Sequence, residues 1–317
     1  MTVQDKIILA GAAGLVGQNL IVQLEQKSYR NLVAIDKHAY NLNILKQLHP
    51  DVETIFADLA DPGEWQNAFA DAACVVMLQA QITGTNPASF VRNNVESTHR
   101  VLDAVRAHRV PYIVHVSSSV VISVADDDYT ETKAKQEEVV RQSGVKHCIL
   151  RPTLMFGWFD PKHLGWLSRF MEKTPVFPIP GHGRYPRQPL YNKDFCKMVI
   201  HCIENQPDAA IYDIVGDQQI DYVDIIRAIK RAKKLKTPII HVPYRLFHTL
   251  LRIFAVFSRN PPFTADQLTA LTAGDRFVGV NTEELFGVTQ TPFEEAIRET
   301  FCDERYSNIV LKPQGSM

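Results

Sequence analysis

Tyr129-Thr130-Glu131-Thr132-Lys133 sets a phenol and an ammonium four residues apart, a step that puts both on one face of a helix. A tyrosine of pKa about 10 is a poor base at neutral pH, and a neighbouring cation favours its phenolate. The pair therefore suits general acid–base catalysis, with Tyr129 exchanging a proton with a substrate hydroxyl and Lys133 lowering the tyrosine pKa. Upstream, His115-Val116-Ser117-Ser118-Ser119 closes a strand-like run. Hydroxyls at the carboxyl end of a parallel strand face the site of an open α/β sheet. Asp126-Asp127-Asp128, just before the tyrosine, reads as a solvated turn and helix start, favourable to the helix dipole. No histidine stands at ligand spacing beside those acids, so no metal is expected.

A second chemistry opens the chain. Gly11-Ala12-Ala13-Gly14-Leu15-Val16-Gly17 places three glycines between a first strand and a first helix. A turn without Cβ atoms lets the backbone approach a pyrophosphate, whose charge then sits on the helix's N-terminal N–H groups. A dinucleotide is expected over Gly11, Ala13, Gly14, Leu15, Val16 and Gly17. Asp36 ends the second strand, where a carboxylate accepts both hydroxyls of an adenosine ribose and repels a 2′-phosphate. NAD is predicted over NADP, with Lys37 and His38 beside the acid keeping NADP as the lesser alternative. Lys133 would then also hydrogen-bond the nicotinamide ribose while hydride moves to or from the nicotinamide.

These groups need a scaffold, and the pattern around them supplies one. Ile7–Ala10, Leu32–Ile35, Thr54–Phe56, Cys74–Leu78, Tyr112–Val116 and His147–Leu150 read as buried strands, alternating with helical stretches such as Val16–Glu25 and Ser97–His108. The alternation predicts an α/β fold: a Rossmann-type, doubly wound parallel sheet over residues 1–150 that binds the cofactor. Prolines cluster after Arg151-Pro152, and residues 151–317 read mainly as a smaller C-terminal α/β substrate lobe with segments able to return to the first. With 34 basic against 35 acidic side chains, no net field collects nucleic acid, which is not expected as a partner. Five cysteines without a C-x-x-C pair fit a reducing compartment, and the N-terminus lacks a signal-peptide pattern, so a cytoplasmic protein is expected. Leu246–Phe257, broken by His248, Thr249 and Arg252, is too short to span a membrane. It reads as a core or interface helix, with Arg245, Arg252 and Arg259 leaving a membrane-surface helix as the minor reading.

Together these residues resemble the extended short-chain dehydrogenase/reductases, the NAD-dependent epimerase/dehydratase family, over roughly residues 6–300. The resemblance implies that Asp58 in Ala57-Asp58-Leu59 holds the adenine amino group, with Leu59 beside it. Asn94 in Asn94-Val95-Glu96-Ser97-Thr98 is expected to brace its helix against the active-site strand and so serve the cofactor. Val75-Val76-Met77-Leu78-Gln79-Ala80 departs from the family's V-x-H-L-A-A, so the wall at Gln79 on the nicotinamide side takes another shape. Counting from Asn94, the family's strand-end serine falls on Ser118, which would orient the substrate oxygen, with Ser119 as its rival and a substrate contact.

Leu150-Arg151-Pro152-Thr153-Leu154-Met155-Phe156-Gly157 resembles the L-R-P-x-x-V-Y-G that flanks the nicotinamide at Pro152. The segment Gly181–Asp194 resembles G-x-G-x-x-x-R-x-x-x-Y-V-x-D, whose arginine, here Arg187, grips the pyrophosphate of a nucleotide sugar. The implied activity is oxidation of a substrate carbinol, most readily of a nucleotide sugar, by a homodimer paired through the helices after Asn94 and Tyr129. A 3β-hydroxysteroid-type or other small alcohol dehydrogenase would use an apolar wall of Met155, Phe156, Trp158 and Trp166. A binding module without turnover, resembling the NAD(P)H-binding accessory subunit of respiratory complex I, is the alternative of another class. Those accessory members typically lack the tyrosine–lysine pair present here.

Overall fold

Strands apolar on both faces require cover on both, and the first half of the chain provides it with the helices between its strands. In order it forms β1 (Lys6–Ala10), α1 (Leu15–Gln26), β2 (Leu32–Asp36), α2 (Ala39–Leu48), β3 (Glu53–Phe56), β4 (Ala72–Met77), α3 (Pro87–Phe90), α4 (Ser97–Ala107), β5 (Tyr112–Val116), α5 (Asp128–Arg141) and β6 (Lys146–Pro152). A π-helical turn, Val91–Glu96, joins α3 to α4. The computed structural model describes residues 1–123, 127–257, 268 and 276–313, without the side chains of 254–257. Asp126 and Arg259 lie outside the described residues.

Alternate residues of each strand feed two separate cores. Ile7 and Leu9 pack with Leu20, Ile21 and Leu24 of α1, while Ile8 and Ala10 pack with Val101, Leu102 and Val105 of α4. All of these side chains are fully buried, and each Ile, Leu or Val contributes roughly 1.5–3 kcal/mol.

The second half folds into β7 (Met155–Phe156), α6 (His163–Lys173), β8 (Phe177–Pro180), β9 (Pro186–Arg187), β10 (Leu190–Tyr191), α7 (Asn192–Asn205), β11 (Ala210–Ile214), β12 (Ile220–Asp221), α8 (Tyr222–Ala232), β13 (Ile239–Val242), α9 (Tyr244–Phe257), α10 (Thr282–Phe286) and α11 (Phe293–Cys302). Short strands pair as β10–β7, β12–β9 and β13–β8 around a core that includes Phe156, Tyr191, Ile225, Ile229, Phe293 and Ile297. Between these pairs the chain returns to the main sheet. There β11 lies parallel to β6 from Ala210↔Cys148 to Ile214↔Pro152, and Phe195, Val199 and Ile203 of α7 share the core of α1.

The resulting seven-stranded sheet has the order β11-β6-β5-β4-β1-β2-β3 with every pairing parallel, the Rossmann-type topology expected. Its direction of winding reverses between β1 and β4, and the crevice beyond their carboxyl ends is where such sheets bind ligands.

Two elements differ from the sequence reading. β3 is an edge strand, not a buried one: only β2 neighbours it, and Phe56 is 66% exposed. α9 is not a core helix, because Leu246, Leu250 and Ile253 are each 52% exposed. Among the described residues no helix is long and apolar enough to cross a membrane.

Candidate functional site

The chain leaves β1 through Gly11 at φ +82°, where a Cβ would stand 2.5 Å from the Gln79 nitrogen. Only glycine allows that approach of the turn to the end of β4. Gly17 is equally tight, with Ala12 O 2.2 Å from its virtual Cβ, and fixes α1 against the turn. Gly14 is open: its virtual Cβ meets nothing nearer than Gly11 O at 3.9 Å. α1 begins here without a side-chain cap and without an acid in its first turn, leaving N-terminal N–H groups for an anion.

Beyond this turn lies a cleft of about 500 Å³. Gly11, Ala13, Gly14, Leu15, Val16, Gly17, Asp36, Asp58, Leu59, Gln79, Ser118, Ser119, Tyr129 and Pro152 all line it. Asn94, Lys133 and Arg187 do not.

Asp36 accepts from Ala13 N–H at 2.9 Å and from His38 N–H at 2.8 Å. Burial raises its carboxyl above the ordinary value, against the pull of those donors. Asp58 is already paired, with Lys37 Nζ and Arg92 Nη2 each 3.1 Å from its Oδ2 and Ala60 N–H 3.1 Å from its Oδ1. Burial works against the Asp58 charge, but the Ala60 N–H and the Lys37 ammonium hold its pKa below the usual value. The amide of Gln79 and the hydroxyl of Ser117 are buried in the cleft lining with no hydrogen-bond partner, which suits them to a polar ligand. With the open place at Gly14, these groups fit a dinucleotide.

At the catalytic end, Asp127 caps α5 by accepting from Thr130 N–H at 2.8 Å. The Ser118 hydroxyl and the Tyr129 phenol come together at the cleft wall. Burial raises the tyrosine pKa, the Ser118 hydroxyl pulls it down, and the nearby Asp127 charge raises it further. The phenol is therefore protonated at neutral pH, opposite to the expectation that Lys133 lowers its pKa. The lysine itself explains the difference. It has no exposed surface, and its ammonium donates to Val116 O at 3.0 Å and to Gln136 Oε1 at 2.7 Å, beneath the cleft floor. Burial pulls its pKa down to about 7, with Glu137 opposing.

Asn94 is fully buried and braces, but through different contacts from those expected. Its Oδ1 accepts from Gln81 N–H at 2.6 Å, and its amide donates to Gln81 O at 3.2 Å and to Thr132 Oγ1 at 2.9 Å. It thus ties the loop after β4 to α5 from within the π-helical turn, a distortion that recurs at functional sites. Gln136 continues the network by donating to Thr98 Oγ1 at 2.8 Å, and Thr98 in turn donates to Asn94 O at 2.7 Å.

Arg187 sits on β9 in the second lobe, paired across to β12, with its charge beside Tyr222. Of the expected apolar wall only Met155 lines the cleft. Phe156 packs on Tyr191 and Phe293, Trp158 on Tyr306, and Trp166 stacks on Phe170.

Sequence reasoning missed other lining groups. Asp160 accepts from Lys162 N–H and Gly165 N–H, both at 2.9 Å, at the start of α6. Lys162 Nζ reaches Thr83 Oγ1 at 3.1 Å, linking two loops at the mouth, and His163 and Leu311–Pro313 also line the cleft. The D-P-K-H run at 160–163 carried a visible signal, an acid and two bases in four residues; the tail carried none. Among the described residues no group of three or more His, Cys, Asp or Glu could hold a metal.

Residues 7–215 match the model of the NAD dependent epimerase/dehydratase family. The NADH dehydrogenase (ubiquinone) 1 alpha subcomplex subunit 9, mitochondrial, of Dictyostelium discoideum is 23% identical over 96% of this chain and 87% of its own length. The dTDP-glucose 4,6-dehydratase of Streptomyces antibioticus is 31% identical over 69% of this chain and 74% of its own length. The solved UDP-glucuronic acid 4-epimerase of Bacillus cereus in complex with NAD shares the fold with a TM-score of 0.65 at 21% identity, covering 75% of this chain and 87% of that one.

Proposed function

Because the chain belongs to the NAD dependent epimerase/dehydratase family, we propose that it is an enzyme that uses NAD to oxidise a carbinol of a nucleotide sugar, with Tyr129 as the acid–base group. The placement of Ser118 and Tyr129 together on the cleft that the glycine turn also lines carries this reading. When bound, NAD supplies the hydride acceptor and donor. Around it the chain's own residues divide the work. Gly11 to Gly17 with the start of α1 receive the diphosphate, and Asp36 receives the adenosine ribose. Ser118 orients the substrate oxygen, and the Tyr129 phenol exchanges its proton. The protonated state of that phenol suits the return step, in which a carbonyl oxygen needs a proton.

Lys133 is a positioning residue in this reading, holding the end of β5 from which the serines project. Among the lysines that line the cleft, Lys37 is paired with Asp58 and Lys312 lies over Tyr40, so Lys162 is the cation this reading assigns to a substrate pyrophosphate in place of Arg187. The burial of Phe156 and Trp158 in other contacts and the stacking of Trp166 on Phe170 disfavour a steroid. The reading also takes the enzyme to be a cytoplasmic homodimer paired through α4 and α5, with its five cysteines free.

A second reading, a dinucleotide-binding protein without turnover, is favoured by one observation: the sequestered ammonium of Lys133. Incubation with NAD and UDP-, GDP- or dTDP-sugars separates the two, followed by NADH absorbance and product chromatography. Tyr129→Phe is expected to keep NAD binding and to lose about 100-fold or more in turnover. A fully active Tyr129→Phe enzyme would reject the catalytic assignment, and no conversion of any sugar would favour the module.

A further inference from the structure

After α11 the chain comes back to the cofactor cleft. Val310 forms a parallel bridge with Phe159, and Leu311, 2% exposed, packs with Val22, Trp158, Phe159 and Tyr306. Asn41 of α2 then grips the next residue on both sides. Its Oδ1 accepts from Lys312 N–H at 2.9 Å, and its Nδ2 donates to Lys312 O at 3.0 Å. Asn41 is itself 4% exposed, and its own carbonyl accepts from the buried Gln18 amide at 3.0 Å. One side-chain amide that satisfies both polar groups of a backbone unit replaces a strand partner and fixes the register of the tail. Lys312 Nζ lies 4.4 Å above the Tyr40 ring, and Pro313 O lies 3.4 Å from His38 Nε2. Leu311, Lys312 and Pro313 line the same cleft as Asp36, His38 and Asn41.

We propose that Leu311–Pro313, latched by Asn41, forms a wall of the cofactor site over its adenosine half. This rests on the reading above that Asp36, which ends β2 and accepts from Ala13 N–H, receives the adenosine ribose. The ligand class is an adenosine diphosphate moiety, and the nicotinamide half lies beyond the reach of this wall. Whatever affinity the tail gives the cofactor, the cofactor returns as tail stability, because coupling between binding equilibria is reciprocal.

Hydrogen exchange of residues 303–313 in the full chain tests this without reference to turnover. Saturating ADP-ribose is expected to slow that exchange about fivefold or more, and nicotinamide mononucleotide to leave it unchanged. Calorimetric titration with NAD is expected to show about tenfold weaker binding for Lys312→Pro, which removes the N–H that donates to Asn41, and for a chain ending at Val310. Exchange that ADP-ribose leaves unchanged, exchange that nicotinamide mononucleotide slows equally, or NAD affinity within about twofold of the parent in Lys312→Pro overturns the proposal. If the shortened chain does not fold, the exchange measurement on the full chain decides alone.

Discussion

The Lys133 ammonium donates to the Val116 carbonyl oxygen at 3.0 Å from a fully buried side chain. Burial holds its pKa down at about 7, against Glu137, whereas an unfolded lysine titrates near 10.4. Between those values the unfolded chain binds more protons than the folded one, so this group makes stability rise with pH from about 7 to 10.4. Below that window both states carry the charge and the unfavourable burial is constant. His115, fully buried nearby, is held neutral by burial and then by the Lys133 charge, so it adds no charge to that window. Relative to Lys133→Met, the parent is expected to gain about 2–4 kcal/mol in stability between pH 7 and 10. Urea unfolding of both proteins at the two pH values checks it; parallel pH profiles would mean the ammonium is not desolvated.

The open place at Gly14 separates folding from binding. At φ −83° alanine fits the backbone, and its Cβ would meet nothing closer than 3.9 Å. Gly14→Ala is expected to melt close to the parent without ligand yet bind NAD about tenfold or more weakly, because the methyl occupies the approach of the diphosphate. Gly17→Ala, facing Ala12 O at 2.2 Å, should lose thermal stability first. Melting curves with and without NAD, paired with calorimetry, distinguish the two; equal NAD affinity in Gly14→Ala would move the diphosphate elsewhere.

Asn94 and Thr132 share one buried hydrogen bond of 2.9 Å, and Asn94 makes two more to Gln81. Asn94→Ala leaves those partners without it and is expected to destabilise by about 2–3 kcal/mol. Thr132→Val alone should be milder. The pair should show a coupling of about 1 kcal/mol in a double-mutant cycle by chemical denaturation. Strict additivity would show that the brace runs through Gln81 instead.

What was legible in the sequence is what short-range rules decide. β1, the glycine turn and Asp36 follow from periodicity and Cβ sterics within 31 consecutive residues, Lys6 to Asp36, and Ser118 and Tyr129 come together because a strand end and a helix start flank one short loop. Spacing put Lys133 on the right side of α5 but did not set its depth. A long flexible side chain takes its direction from the tertiary acceptors it finds, here Val116 O and Gln136. Arg187 matched a motif, yet β9–β12 pairing carries it into the second lobe. Phe156 and Trp158 read as cleft wall because hydrophobicity alone does not say which core claims an aromatic ring. The tail at Leu311–Pro313 was invisible because its contact with Asn41 spans 271 residues.

The strand β11 that flanks β6 comes from residues 210–214, beyond several second-lobe elements. During synthesis, the nucleotide-binding half must therefore wait with one margin of its sheet unsealed until much of the other lobe has left the ribosome. A fragment stopped near residue 150 would carry a bare row of amides and carbonyls along β6, a template for self-association. Gene fusions or expression trials that split the chain at that apparent boundary would meet aggregation before they met chemistry.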